Sequence, residues 1–157
     1  MDIKTKTIIM EKARGYLNTG WHCSEGILKA VGGHYLGEIN PQAFRISTAF
    51  EGGVGGTNEE LCGALSGGLM VIGALYGRTN PRKSDYRCAS MAAAYRLRFL
   101  EHFGYIRCAD LKAHWIGKKG RETCAELVAD AAGVLVDVLE GKRYSESRRL
   151  PGQVSDI

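Results

Sequence analysis

Five cysteines, Cys23, Cys62, Cys88, Cys108 and Cys124, are the side chains of this 157-residue chain best suited to chemistry. No two are spaced Cys-x-x-Cys, which excludes a zinc ribbon, a thioredoxin-like motif and the Cys-x-x-Cys-His attachment of covalent haem. In a reducing compartment cysteines serve as metal ligands, redox groups or core filler and rarely as structural disulfides. The chemistry to expect is therefore that of thiolates brought together from distant segments: redox exchange, or binding of a metal or an iron-sulfur group. The four histidines, His22, His34, His102 and His114, are scattered, and only His22 adjoins a cysteine, where it would activate a thiol or ligate a metal. No Ser-His-Asp arrangement or carboxylate pair can be built from the spacing, so hydrolytic chemistry has no support.

The elements that must position these sulfurs read as helices. Apolar residues recur every three or four positions between breaks at glycine, proline and asparagine, and no segment alternates with period two. A first helix is predicted from Ile3 to Leu17 and a second from Trp21 to Tyr35. A short third helix has Pro41 in its first turn and Asn40 as its cap. Thr57 and Glu60 have the spacing of a capping box, which predicts that a fourth helix starts there and runs to Gly77. A fifth follows Ser84 or Asp85 and ends near Phe103 and Gly104, and a sixth spans about Lys119 to Leu139. The fold class is all-α, a single-domain bundle of about five to six helices over residues 1–143, with a polar, flexible tail over 144–157.

On that map Cys23, Cys62 and Cys124 fall in the first turns of three helices. Unpaired N–H groups and a partial positive charge there favour a thiolate and lower its pKa. Cys124 shares an inward stripe with Val128, Ala131, Leu135 and Val138. Cys108 falls in a short connecting segment from which it can be aimed as a fourth ligand. Cys88 heads the stripe of Met91, Tyr95, Phe99 and Phe103 and is the weakest candidate. Core filling is the competing reading for any one cysteine, because free cysteine behaves as a small, often buried hydrophobe. Gly63 and Gly67, directly after Cys62, leave room for a cofactor or for another helix; each glycine costs a helix roughly 1 kcal/mol against alanine. The loop Gly52-Gly53-Val54-Gly55-Gly56 lacks a following Gly-Lys-Ser/Thr and reads as a hinge, not a phosphate cradle.

Composition bounds the partners. With 45% hydrophobic and 24% charged residues and three prolines, the chain has the make-up of a soluble globular protein. The net charge of +4, from 21 basic and 17 acidic residues, is too mild and too mixed for a nucleic-acid surface. Much of the excess lies in Arg78, Arg82, Lys83, Arg87, Lys142, Arg143, Arg148 and Arg149. The longest uncharged run, Leu61 to Gly77, holds five glycines in seventeen residues, short for a membrane span. With no secretory signal visible, a cytoplasmic location is expected.

The string Cys62-Gly63-Ala64-Leu65-Ser66-Gly67-Gly68, the glycine-rich Phe50 to Gly56 before it, Cys23 upstream, and Phe103-Gly104-Tyr105-Ile106-Arg107-Cys108 and Cys124 downstream resemble the redox-active family named for its C_GCAxxG_C_C pattern. The resemblance covers about Gly20 to Leu139 and departs at Leu61, where the family name implies glycine. It implies a set of four cysteines, Cys23, Cys62, Cys108 and Cys124, with Cys88 outside it. A similar domain occurs in a multihaem cytochrome, associated with a [2Fe-2S] cluster. The resemblance thus implies that these four cysteines are redox groups or metal ligands and that a [2Fe-2S] cluster is the cofactor, served by a redox partner protein. A metal-free thiol-disulfide protein or sensor is the first alternative. A non-catalytic helical interaction protein, with structural zinc or core cysteines, is the second. A homodimer is compatible with either.

Overall fold

The computed structural model describes residues 1–141; the tail expected over 144–157, and with it Arg148 and Arg149, lies outside the described residues, as do Lys142 and Arg143. The chain is all-α. Its elements in order are α1 (Ile3–Asn18), α2 (Cys23–Ile27), a π-helical turn (Leu28–Gly32), α3 (Gly33–Leu36), α4 (Pro41–Thr48), α5 (Gly63–Tyr76), α6 (Tyr86–Phe103), α7 (Cys108–His114) and α8 (Cys124–Leu139). Helix α2, the π turn and α3 run on through helical backbone without a break, so the described residues hold seven helical rods, slightly more than the sequence suggests. Two isolated β-bridges, Leu61 with Arg107 and Lys118 with Arg121, are the only extended pairings among them.

Local chemistry fixes most helix starts. Asp2 accepts the Thr5 N–H at the head of α1 (2.9 Å), and Asn40 accepts the Gln42 N–H at the head of α4 (2.8 Å) with Pro41 just inside. Thr123 and Glu126 make a capping box for α8: the Glu126 carboxylate accepts the Thr123 N–H at 2.8 Å while the Thr123 hydroxyl accepts the Ala125 N–H. Helix α6 ends on Gly104, whose φ of 80° is the left-handed conformation that glycine adopts without steric cost.

The core is built around α8. It buries nearly every face, from Ala125 and Leu127 to Val136 and Val138, and α1, α2, α5 and α6 pack against it. Glu126, Asp130 and Asp137 form its one partly exposed stripe, and a helix apolar on its remaining faces is a central one. The predicted stripe of Val128, Ala131, Leu135 and Val138 is buried, as are Tyr95, Phe99 and Phe103 of α6. Buried Tyr95 donates its hydroxyl proton to the Ala64 carbonyl at 3.2 Å, tying α6 to α5.

The predicted start of the fourth helix is wrong. Helix α5 begins at Gly63 with Cys62 as its N-cap. Thr57 donates its hydroxyl to the Gly53 and Val54 carbonyls, and Asn58 has a φ of 64°, which no α-helix accommodates. The bridge of Leu61 to Arg107 then holds the chain extended just before α5. The sixth predicted helix likewise starts later than Lys119, because the true box is Thr123 and Glu126.

Candidate functional site: a cysteine-lined cavity

Each of four cysteines sits at the beginning of a helix. Cys23, Cys108 and Cys124 are the first residues of α2, α7 and α8, and Cys62 caps α5. The segment that carries Cys23 is pinned on both sides. Buried Glu25 accepts the His22 N–H at 2.9 Å and the Thr48 hydroxyl at 2.6 Å, and buried Ser24 donates to the Ser47 carbonyl at 2.8 Å. The start of α2 is thereby fastened to the end of α4.

Cys62 and Cys108 are held by one piece of backbone pairing. The Cys62 N–H donates to the Ile106 carbonyl (2.8 Å), and the Cys108 N–H donates to the Glu60 carbonyl (3.0 Å). These two bonds flank the Leu61–Arg107 bridge, so each cysteine directly follows a bridge residue. Cys108, expected in a connecting segment, is instead the first residue of a seven-residue helix. That helix is short and has no side-chain cap, which is why the sequence did not reveal it.

The glycine-rich loop wraps this end. Residues 52–56 all have positive φ, between 52° and 74°, an unusual run made feasible by four glycines, with Val54 the one β-branched member. Gly53 packs so closely that a Cβ there would lie 2.8 Å from Cys108 Cβ and 2.9 Å from Asn58 Cα. The packed part of the loop is Gly53, which is buried, whereas Val54 to Gly56 are exposed.

Cys23, Cys62, Cys108 and Cys124 all line one open cavity of about 350 Å³, together with Trp21, His22, Glu51 and Lys112. Cys62 and Cys108 are buried and the other two half-buried; Cys88 is half-buried on α6 and lies outside the cavity lining. All are free thiols. The space directly over Gly63 and Gly67 is filled by α2. A Cβ on Gly63 would stand 2.2 Å from Cys23 Sγ, and one on Gly67 would stand 2.5 Å from the Ser24 carbonyl oxygen. Their absent side chains let α2 and α5 approach, the packing reason that small-residue stripes usually have.

Electrostatics also departs from expectation. Burial pushes the pKa of all four thiols up. Backbone hydrogen bonds from Gly52 and Ser24 to Cys23, and from Ala64 and Leu65 to Cys62, pull the other way and lose to burial. The Lys112 ammonium lowers Cys108 and Cys124, whereas charge on the Cys23 sulfur raises Cys62, Cys108 and Cys124. Helix ends alone do not make these groups thiolates.

His22 is half-exposed, with Nδ1 3.7 Å from Glu51 Oε2 at the cavity. His102 pairs with Asp130 and His114 stacks on Tyr105, both outside the lining, as is His34. Sequence reading missed Glu51, Asn58 and Lys112. Lys112 lies four residues after Cys108, the spacing that shares a helix face, a signal that becomes legible once α7 is known.

An all-helical protein with four thiols around one cavity belongs, as a class, among cysteine-centred proteins. Residues 21–138 match the family model described as "Putative redox-active protein (C_GCAxxG_C_C)", and the chain belongs to that family. No curated protein and no solved structure matches it. Among the described residues no helix is long and apolar enough to cross a membrane, and no group of three or more His, Cys, Asp or Glu is arranged to hold a metal ion.

Proposed function

We propose that this protein transfers single electrons, with Cys23, Cys62, Cys108 and Cys124 as the ligands of a [2Fe-2S] cluster that exchanges electrons with a partner protein. The observation that supports it is the convergence of four helix-borne thiols on one cavity, since four thiolates are the donor set of such a cluster. The donor chemistry fits; as they stand the sulfurs are not grouped for a metal, so holding one asks them to draw together. When bound, a cluster supplies one-electron chemistry at a potential set by its surroundings. The chain's own residues do the rest. Backbone N–H groups at the helix starts offset negative charge on the sulfurs. Trp21 and the loop around Gly53 wall the site. Burial keeps the free thiols protonated, so ionisation waits for a cation, and ligation releases protons.

The test is anaerobic purification or reconstitution, followed by iron and sulfide analysis and a visible spectrum. About two irons per chain, lost in each of Cys23→Ser, Cys62→Ser, Cys108→Ser and Cys124→Ser and kept in Cys88→Ser, is the expected result. Colourless, iron-free protein after reconstitution overturns it.

One observation favours a second reading. The Cys23 sulfur lies against Gly63, the residue next to Cys62, which favours these two cysteines as partners in a reversible disulfide. Loss of two thiols per chain on oxidation, without metal, and restored by dithiothreitol, would select it.

A further inference from the structure

Asn58 holds an unusual position at the cysteine cavity. Its side-chain oxygen Oδ1 accepts two donors at once: the Lys112 ammonium at 2.6 Å and the Cys108 thiol at 3.4 Å. Its backbone is committed as well, with its N–H on the Gly52 carbonyl and its carbonyl receiving the Ala109 N–H. The left-handed φ of 64° is one that asparagine tolerates better than most residues. Asn58 is thus fixed against the first turn of α7, and Lys112, one helical turn after Cys108, reaches back over it.

The thiol proton makes the Cys108–Asn58 contact attractive. A sulfur that serves as ligand or nucleophile carries negative charge instead, so sulfur and Oδ1 are then both acceptors and the contact becomes repulsive. Lys112 is the group beside them that can donate to both. Glu51, which also lines the cavity, opposes charge on this sulfur, so the lysine is the compensating partner.

We propose that Lys112 and Asn58 are a positioning pair for the Cys108 sulfur: the ammonium, steadied on Asn58 Oδ1, swings onto the sulfur whenever it carries negative charge as ligand or nucleophile. The inference deepens the redox reading and rests on it for its purpose, but its test does not. Metal-free, reduced protein is alkylated with iodoacetamide at one fixed pH near 8, and Cys108 and Cys88 are followed by peptide mapping. Lys112→Met slows Cys108 at least about threefold, leaves Cys88 unchanged, and Lys112→Arg restores most of the rate. Asn58→Asp, which keeps the shape and adds an opposing charge, also slows Cys108. Cys108 rates equal to wild type in both Lys112→Met and Asn58→Asp overturn the pair. Should one variant fail to fold by circular dichroism, the other decides. In reconstituted protein the expected companion is a more negative reduction potential for Lys112→Met. Wild-type protein that takes up no iron removes the cluster reading and leaves the alkylation comparison standing.

Discussion

A buried thiol and an exposed one differ in what pH does to the folded state. Because burial raises Cys23, Cys62, Cys108 and Cys124, the native state holds their protons longer than the unfolded chain does. That support is complete below the ordinary thiol pKa and is withdrawn as pH rises towards the folded values. Metal-free, reduced protein should therefore melt at progressively lower temperature above about pH 8.5, and Cys62→Ser should flatten the slope. A melting temperature unchanged between about pH 7.5 and 9.5 would contradict the burial argument. Tyr95→Phe should cost about 1 kcal/mol by chemical denaturation, since it removes a buried hydrogen bond and leaves the Ala64 carbonyl without that donor. At this scale the sequence was informative about position and misleading about charge. Cys23, Cys62 and Cys124 do open helices, but a helix start is a weak field beside the desolvation of a sulfur, and desolvation is a tertiary quantity that no local spacing encodes.

Helix α5 shows how one residue type can carry opposite consequences within a single element. Gly67 faces the backbone of Ser24, whereas Gly73 has nothing within 4 Å of a virtual Cβ. Gly67→Ala should destabilise by about 1–3 kcal/mol through overpacking, outweighing its helix-propensity gain. Gly73→Ala should stabilise by up to about 1 kcal/mol. Urea titrations of the two variants check both signs. At the head of α8, Thr123→Ala should cost about 1 kcal/mol by the same measurement, because the cap hydroxyl is lost. The Thr57 and Glu60 spacing that predicted a helix start caps none, whereas the box that does cap α8, Thr123 with Glu126, lies four residues beyond the predicted start at Lys119. The Thr57 spacing failed because Leu61 is taken by a bridge to Arg107, a partner 46 positions away, which outcompetes a local propensity of small magnitude. Helix α7 stayed hidden for the complementary reason: seven residues are too few to display a period.

Across the whole molecule, stability should be graded outward from α8. Amide hydrogen exchange is expected to be slowest in α8 and in the buried first half of α5, and faster around residues 78–85, which are exposed and lack a helix. Exchange in α8 as fast as in that loop would mean that the interior is not where the burial pattern puts it. The all-α class and the inward stripes of α6 and α8 were legible because period and polarity are written in every turn. The assembly of the cavity was not, because it depends on α2, α5, α7 and α8 meeting at one end, a matter of crossing geometry.

The Leu61–Arg107 bridge carries one more consequence. Because Cys62 and Cys108 each follow a bridge residue, their backbones are geared together like neighbouring teeth, and a shift of one strand by a single residue would turn one sulfur away while the other stayed put. Inserting one residue between Gly104 and Cys108 should therefore disable the pair far more than the same insertion at residues 78–85. Length variation in this chain is tolerable where nothing meshes, and at the bridge it throws the two cysteines out of step.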